Sequence, residues 1–121
     1  MELFNSFVGK MWLLKDDYVS NSIKIGRYEK QELYILSQYL TSGSVCIDVG
    51  ASVGIYSVFA AQKIGNGIVY AFEPQQAPYL PLAKNSIIYK NIRPFHIGLW
   101  NKEKVFEWHG TKFCGESPYH S

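Results

Sequence analysis

The stretch that most limits what this chain can fold into is "VCIDVGASVGIYS", Val45 to Ser57. Four of its first five residues are apolar and the exception, Asp48, is a carboxylate near the end of the run. A turn of small residues follows, with Gly50 and Gly54 separated by three positions, and a second apolar run begins after it. A strand, a tight turn and a helix is the reading that fits. Glycines are needed where the backbone bends sharply or where another group comes close to it. An acid placed just before such a turn marks the approach of something polar.

The flanking residues extend this unit into a layered fold. Arg27–Leu40 carries Leu33, Leu36 and Leu40 at helical spacing, and Gly43 in "TSG" is a natural C-terminal cap. Val45–Val49 is predicted as a strand, Val53–Ile64 as a helix closed by Gly65 and Gly67, and Gly67–Glu73 as a second strand. The apolar run of that second strand is continuous, as in strands covered on both faces of a parallel sheet. Gln75–Asn91 is mostly helical, and Pro81 places the start of the regular part near Leu80. Ile92–Ile97 is a third strand, and its Pro94 suits a sheet edge. Asn101–Lys104 is predicted as a turn into a short strand, Val105–Trp108, before a loop tail over 109–121. Val8–Leu14 and Ser22–Ile25 are expected to form an N-terminal hairpin or flap within 1–26, ahead of an α/β core over 27–108. The alternation predicts one α/β domain built on a Rossmann-like, doubly wound parallel sheet, with the first strand central and the third outermost.

Composition removes several functional classes. The 121 residues are 47% hydrophobic and 16% aromatic, enough for one small core. A net charge of only +2 and the absence of a Lys/Arg stripe argue against a nucleic-acid partner. Apolar runs fall short of the roughly 18 residues that a membrane span needs, and no signal-peptide core is visible, so a cytoplasmic protein is expected. Two cysteines, Cys46 and Cys114, make no disulfide framework. His109, Cys114 and His120 match no zinc spacing, so no metal is expected.

In a sheet of this kind ligands bind beyond the carboxyl ends of the strands, beside the first one. Glu73 closes the second strand next to the glycine turn and is placed to take the hydroxyls of a ribose. The turn "GASVG" lacks the middle glycine that lets pyrophosphate touch the backbone, and Asp48 would repel it. A ligand with a ribose, no phosphate and a positive charge fits better. S-adenosylmethionine has that chemistry, and a Rossmann-like NAD-binding protein is the less favoured alternative.

The segment "VCIDVGASVGIYSVFAAQKIGNGIVYAFEPQ" resembles the cofactor-binding half of class I methyltransferases, and specifically the FkbM family, whose members read D-V-G-A-N-x-G-x-Y and then V-x-A-F-E-P. "GRYEKQEL" and "NIRPFHIGLWNKEKVFEW" are similar to the flanking segments, so the resemblance runs from about Lys24 to Trp108. It implies that Asp48, Gly50, Ala51, Ser52 and Gly54 line the methionine end of the cofactor, with Glu73 at the ribose and Ile97 flanking the adenine. Ser52 stands where the family has Asn. The implied reaction is O-methylation of a hydroxyl on a sugar, glycan or other small molecule.

No base is assigned. His96, His109 and His120 qualify by residue type alone. The strands that complete such a sheet on the substrate side are not evident, which predicts either a truncated, non-catalytic cofactor-binding remnant or a sheet completed by a partner chain or a second copy. Plainer roles exist for each site residue: Asp48 as a turn cap, Gly50 and Gly54 as backbone geometry alone, Glu73 as a solvated strand-end carboxylate.

Overall fold

The computed structural model describes residues 1–98 and, beyond them, the backbone of two short strands, Trp108–His109 and Lys112–Phe113. In chain order the elements are β1 (Glu2–Ser6), β2 (Gly9–Leu13), α1 (Tyr18–Lys24), α2 (Lys30–Ser37), β3 (Val45–Val49), α3 (Ile55–Ala61), β4 (Ile68–Phe72), α4 (Gln76–Ile88), β5 (Ile92–Phe95), β6 (Trp108–His109) and β7 (Lys112–Phe113). β6 and β7 pair antiparallel, so that His109 and Lys112–Phe113 are extended where a loop tail was expected. The expected strand Val105–Trp108 meets this ladder only at Trp108, and its other residues lie outside the described ones.

The centre of the fold is a parallel sheet in the order β3-β4-β5, with Asp48 opposite Ala71 and Ala71 opposite Pro94. Pro94 lies on an outer strand, where its missing N–H leaves no gap in a central ladder. β3, expected to be central, is the other outer strand among the described residues, with β4 between the two. Val69, Ala71 and Ile92 turn one face of the sheet into a core shared with Val53, Val58 and Leu82. Each of the valine, leucine and isoleucine side chains, removed from water, contributes roughly 1.5–3 kcal/mol.

The opposite face differs from expectation. Val45 and Ile47 are 67% and 65% exposed, and Phe95 stacks on Phe72 while remaining 40% exposed. The continuous apolar runs predict cover on both faces, yet the described residues cover only one. Both crossovers carry the chain across the sheet in the same direction, and right-handed crossovers of that kind lay their helices on the same side.

The N-terminal region is rearranged relative to the prediction. Gly9–Leu13 pairs with Glu2–Ser6, and Ser22–Ile25 is not a strand, because helix α1 occupies Tyr18–Lys24. Asp17 caps that helix by accepting the Ser20 N–H at 2.8 Å, a bond that favours the helix over an extended chain. The hairpin then packs into the core through Met11 and Leu13, both fully buried. Asn85 of α4 fastens it there. Its side chain accepts the Trp12 N–H at 2.6 Å and donates to the carbonyls of Trp12 at 3.1 Å and Val53 at 2.9 Å.

Three helices also have limits other than expected, and α3 runs only over Ile55–Ala61, inside the predicted Val53–Ile64. α2 is shorter than Arg27–Leu40, and Gly43 is not its cap, since the Gly43 N–H bonds the Ile64 carbonyl. α4 begins at Gln76 and holds Pro81 in its interior, in place of a start near Leu80. A proline there forfeits one helical hydrogen bond. Its ring is fully buried beside Leu82, and that packing offsets the loss.

Candidate functional site

The glycine turn joins the carboxyl end of β3 to the start of α3. The N–H groups of Gly50 and Ala51 both donate to the Phe72 carbonyl at 2.9 Å, strapping the turn to the end of β4. Gly50 has a φ of +69°, a conformation that disfavours any side chain, and a Cβ built on it would meet nothing within 4 Å. The backbone there faces open space, so another molecule can approach it closely. Gly54 serves a different purpose. A Cβ at Gly54 would sit 2.8 Å from Cδ1 of Leu82, so this glycine lets α3 and α4 close on each other.

Ser52 also has a left-handed backbone, with φ of +55°. Asparagine tolerates that region better than serine does, so Ser52 carries some backbone strain. Here the strained residue is held by Glu73. Oε1 of Glu73 accepts the Ser52 N–H at 2.8 Å, and Oε2 accepts the Gln75 N–H at 2.7 Å. Glu73 is only 5% exposed, so it is not a solvated strand-end carboxylate. Burial pushes its pKa up, while the two backbone bonds pull it down. Each oxygen keeps a second lone pair for another donor.

Asp48 points at α3 on the covered face of the sheet. Its Oδ2 accepts the Ser57 hydroxyl at 2.7 Å, and the Ser57 backbone N–H supports the same carboxylate. Gly54, the N-cap of α3, has no side chain to satisfy that first turn, so Asp48 caps the helix from the neighbouring strand. The turn-cap alternative is therefore realised on the helix. Burial raises the Asp48 pKa, the Ser57 bonds oppose the rise, and the Glu29 carboxylate adds to it.

One contact beside this site joins two segments far apart in sequence. The Tyr56 hydroxyl donates to Oε2 of Glu29, whose backbone is left-handed at φ +46°. Burial and this carboxylate hold the Tyr56 hydroxyl far above its usual pKa. No spacing rule links positions 29 and 56, so only the folded chain shows that they meet. A cleft of about 150 Å3 opens beside Asp48, lined by Leu36, Cys46, Tyr56, Ala60 and Val69.

Asp48, Gly50, Ala51, Ser52, Gly54 and Glu73 thus converge around one turn. Ile97 lies just past β5 and is 42% exposed, and β5 is the strand beside the one that Glu73 closes. His96 stacks on Tyr79 with ring centroids 4.4 Å apart. The side chains of His109, Cys114 and His120 lie outside the described residues. Among the described residues no group of three or more His, Cys, Asp or Glu could hold a metal ion, and no helix is long and apolar enough to cross a membrane.

No protein-family model matches the chain, and no curated protein is similar to it. Solved structures are. A precorrin-6y C5,15-methyltransferase from Geobacter metallireducens superimposes with a TM-score of 0.56 at 18% identity over 77% of this chain and 45% of its own. A SAM-dependent O-methyltransferase from Thermotoga maritima gives 0.52 at 17% identity, covering 78% of this chain and 40% of its own. A protein described as an rRNA methylase, from Clostridium thermocellum, gives 0.52 at 19% identity, covering 56% and 39%. The chain therefore spans less than half the length of each of these proteins, and over that part it has their Rossmann-like α/β fold.

Proposed function

We infer that this chain is the cofactor-binding half of an S-adenosylmethionine-dependent methyltransferase of FkbM type, acting on a hydroxyl of a sugar or other small molecule. The observation that carries the reading is the open backbone at Gly50, flanked by two carboxylates, Asp48 and Glu73. The residues present fit such a group. A ligand with a ribose and a cationic end finds an unobstructed glycine turn and carboxylates to match, while pyrophosphate would meet negative charge. The fold shared with SAM-dependent enzymes supports the same ligand.

In this reading Asp48 faces the cationic methionine end, the Gly50–Ala51 backbone forms the wall beside it, and the remaining lone pairs of Glu73 take ribose hydroxyls. Ile97 lies along the adenine. Bound S-adenosylmethionine supplies an electrophilic methyl group, and transfer depends mainly on holding the acceptor oxygen in line with it. No residue of this chain is assigned as a base. The open face of the sheet belongs to the same reading: further polypeptide, from this chain, a second copy or a partner, covers it and shapes the acceptor pocket. RNA is the second acceptor class, raised by the rRNA methylase among the neighbours. A net charge of +2 favours the small acceptor.

The test is calorimetric titration of the chain with S-adenosylhomocysteine and, separately, with NAD. Micromolar binding of the former that is lost in Glu73→Ala, with no heat from NAD, is expected. Tighter binding of NAD, or no binding of either by a folded chain, overturns the reading. Binding without methyl transfer to hydroxyl acceptors or RNA would leave a cofactor-binding protein that is not an enzyme.

A further inference from the structure

Helix α3 presents a hydroxyl that the sequence pattern does not single out. Ser57 is fully buried, and its Oγ lies 2.7 Å from Oδ2 of Asp48. A buried serine needs a partner, and the partner it has is the one acidic residue of the glycine-turn motif. We propose that Ser57 is a positioning residue for the cofactor site: by donating to one oxygen of Asp48 it fixes the carboxylate's rotamer and keeps it an ionised acceptor toward a cationic ligand. The inference rests on the cofactor reading given above.

The surroundings make that role necessary. Asp48 is held where burial favours its neutral form. The groups that face it are mostly unhelpful to a negative charge: the Glu29 carboxylate and Tyr28 from the segment before α2, Tyr56 from α3, Cys46 on the same strand and Glu73 beyond β4. Against these stand the hydroxyl and backbone N–H of Ser57. Charge-assisted bonds of this type are among the stronger ones in proteins. Without the hydroxyl the carboxylate protonates at higher pH and is free to turn away from the ligand.

Two readouts separate this role from a merely structural one. The Asp48 carboxyl is followed by carbon-detected NMR through a pH titration of the ligand-free chain, for wild type, Ser57→Ala and Ser57→Thr. S-adenosylhomocysteine affinity is measured over the same pH range. The Asp48 midpoint is expected to rise in Ser57→Ala and to return toward wild type in Ser57→Thr, which keeps the hydroxyl. Affinity near pH 7 is expected to fall about tenfold in Ser57→Ala, with the acid-side loss beginning at higher pH than in wild type. An unmoved Asp48 midpoint, or an affinity reduced equally at every pH, overturns the inference. A wild-type chain whose Asp48 couples to Ser57 as expected but which binds no S-adenosylhomocysteine overturns the cofactor reading instead.

Discussion

The two faces of the β3-β4-β5 sheet are made from similar residues and live in different surroundings. On one, Val69, Ala71 and Ile92 are buried with Val53, Val58 and Leu82. On the other, Val45, Ile47 and Phe95 remain exposed beside the half-buried Tyr70 and Phe72. The covered face holds the fold together and also aims the site, because Asp48 projects from it into α3. The open face contributes little to the stability of the described residues. An apolar sheet surface of that kind is what other polypeptide covers. Packing and the Asp48–Ser57 bond are thus tied to one face, and an exposed apolar surface to the other.

Substitutions on the two faces should differ most in size. Leu82→Ala removes a fully buried side chain packed against Gly54 and is expected to cost about 3–4 kcal/mol, read by urea denaturation. Glu73→Ala should come next, at about 3 kcal/mol, because it leaves the Ser52 and Gln75 amides without their carboxylate. Glu73→Gln should fall between that variant and wild type, since an amide has one acceptor oxygen where two are used.

A pH series sharpens the contrast from the side of the site. Asp48 and Glu73 both have folded pKa values raised above the ordinary 3.8 and 4.5. Groups shifted in that direction favour the folded state while protonated, and the benefit is lost as pH rises through the raised values. Urea melts of wild type and of Asp48→Asn, run upward from about pH 4, should show wild type losing ground to the variant as pH rises. A constant difference between them would contradict the shift at Asp48.

The smallest expected effect is on the open face. Ile47→Thr should change monomer stability by less than about 0.5 kcal/mol, while lowering self-association in sedimentation velocity. A large loss of stability there would mean that the face is covered within the chain itself, and the comparison between the faces would fail.

Much of the fold was legible where the pattern was local. The strand, glycine turn and helix from Val45 onward follow from one apolar run and two glycines, and Pro94 marked a strand that is outermost among the described residues. The N-terminal region was not legible in the same way. "YVSNSIK" is too polar to announce a helix, and its cap at Asp17 is a single residue in a loop of similar ones. Pro81 misled because a proline rule about backbone bonds ignores what burying the ring returns. In the site, residue types and spacing pointed to Asp48 and Glu73, but their bonding was beyond reach. Glu73 clamps the turn with both oxygens, Asp48 caps α3 through Ser57, and Glu29 meets Tyr56 across 27 positions of sequence. Those contacts depend on how helices close over a sheet.

The most direct test of the central claim is an amide NMR map of the chain titrated with S-adenosylhomocysteine. Shifts should concentrate at Asp48–Gly54, Glu73 and Ile97, leaving the hairpin Glu2–Leu13 and the open-face residue Val45 unmoved. Shifts confined to the open face, or none at all in a folded chain, would contradict the claim that the glycine turn is a cofactor site.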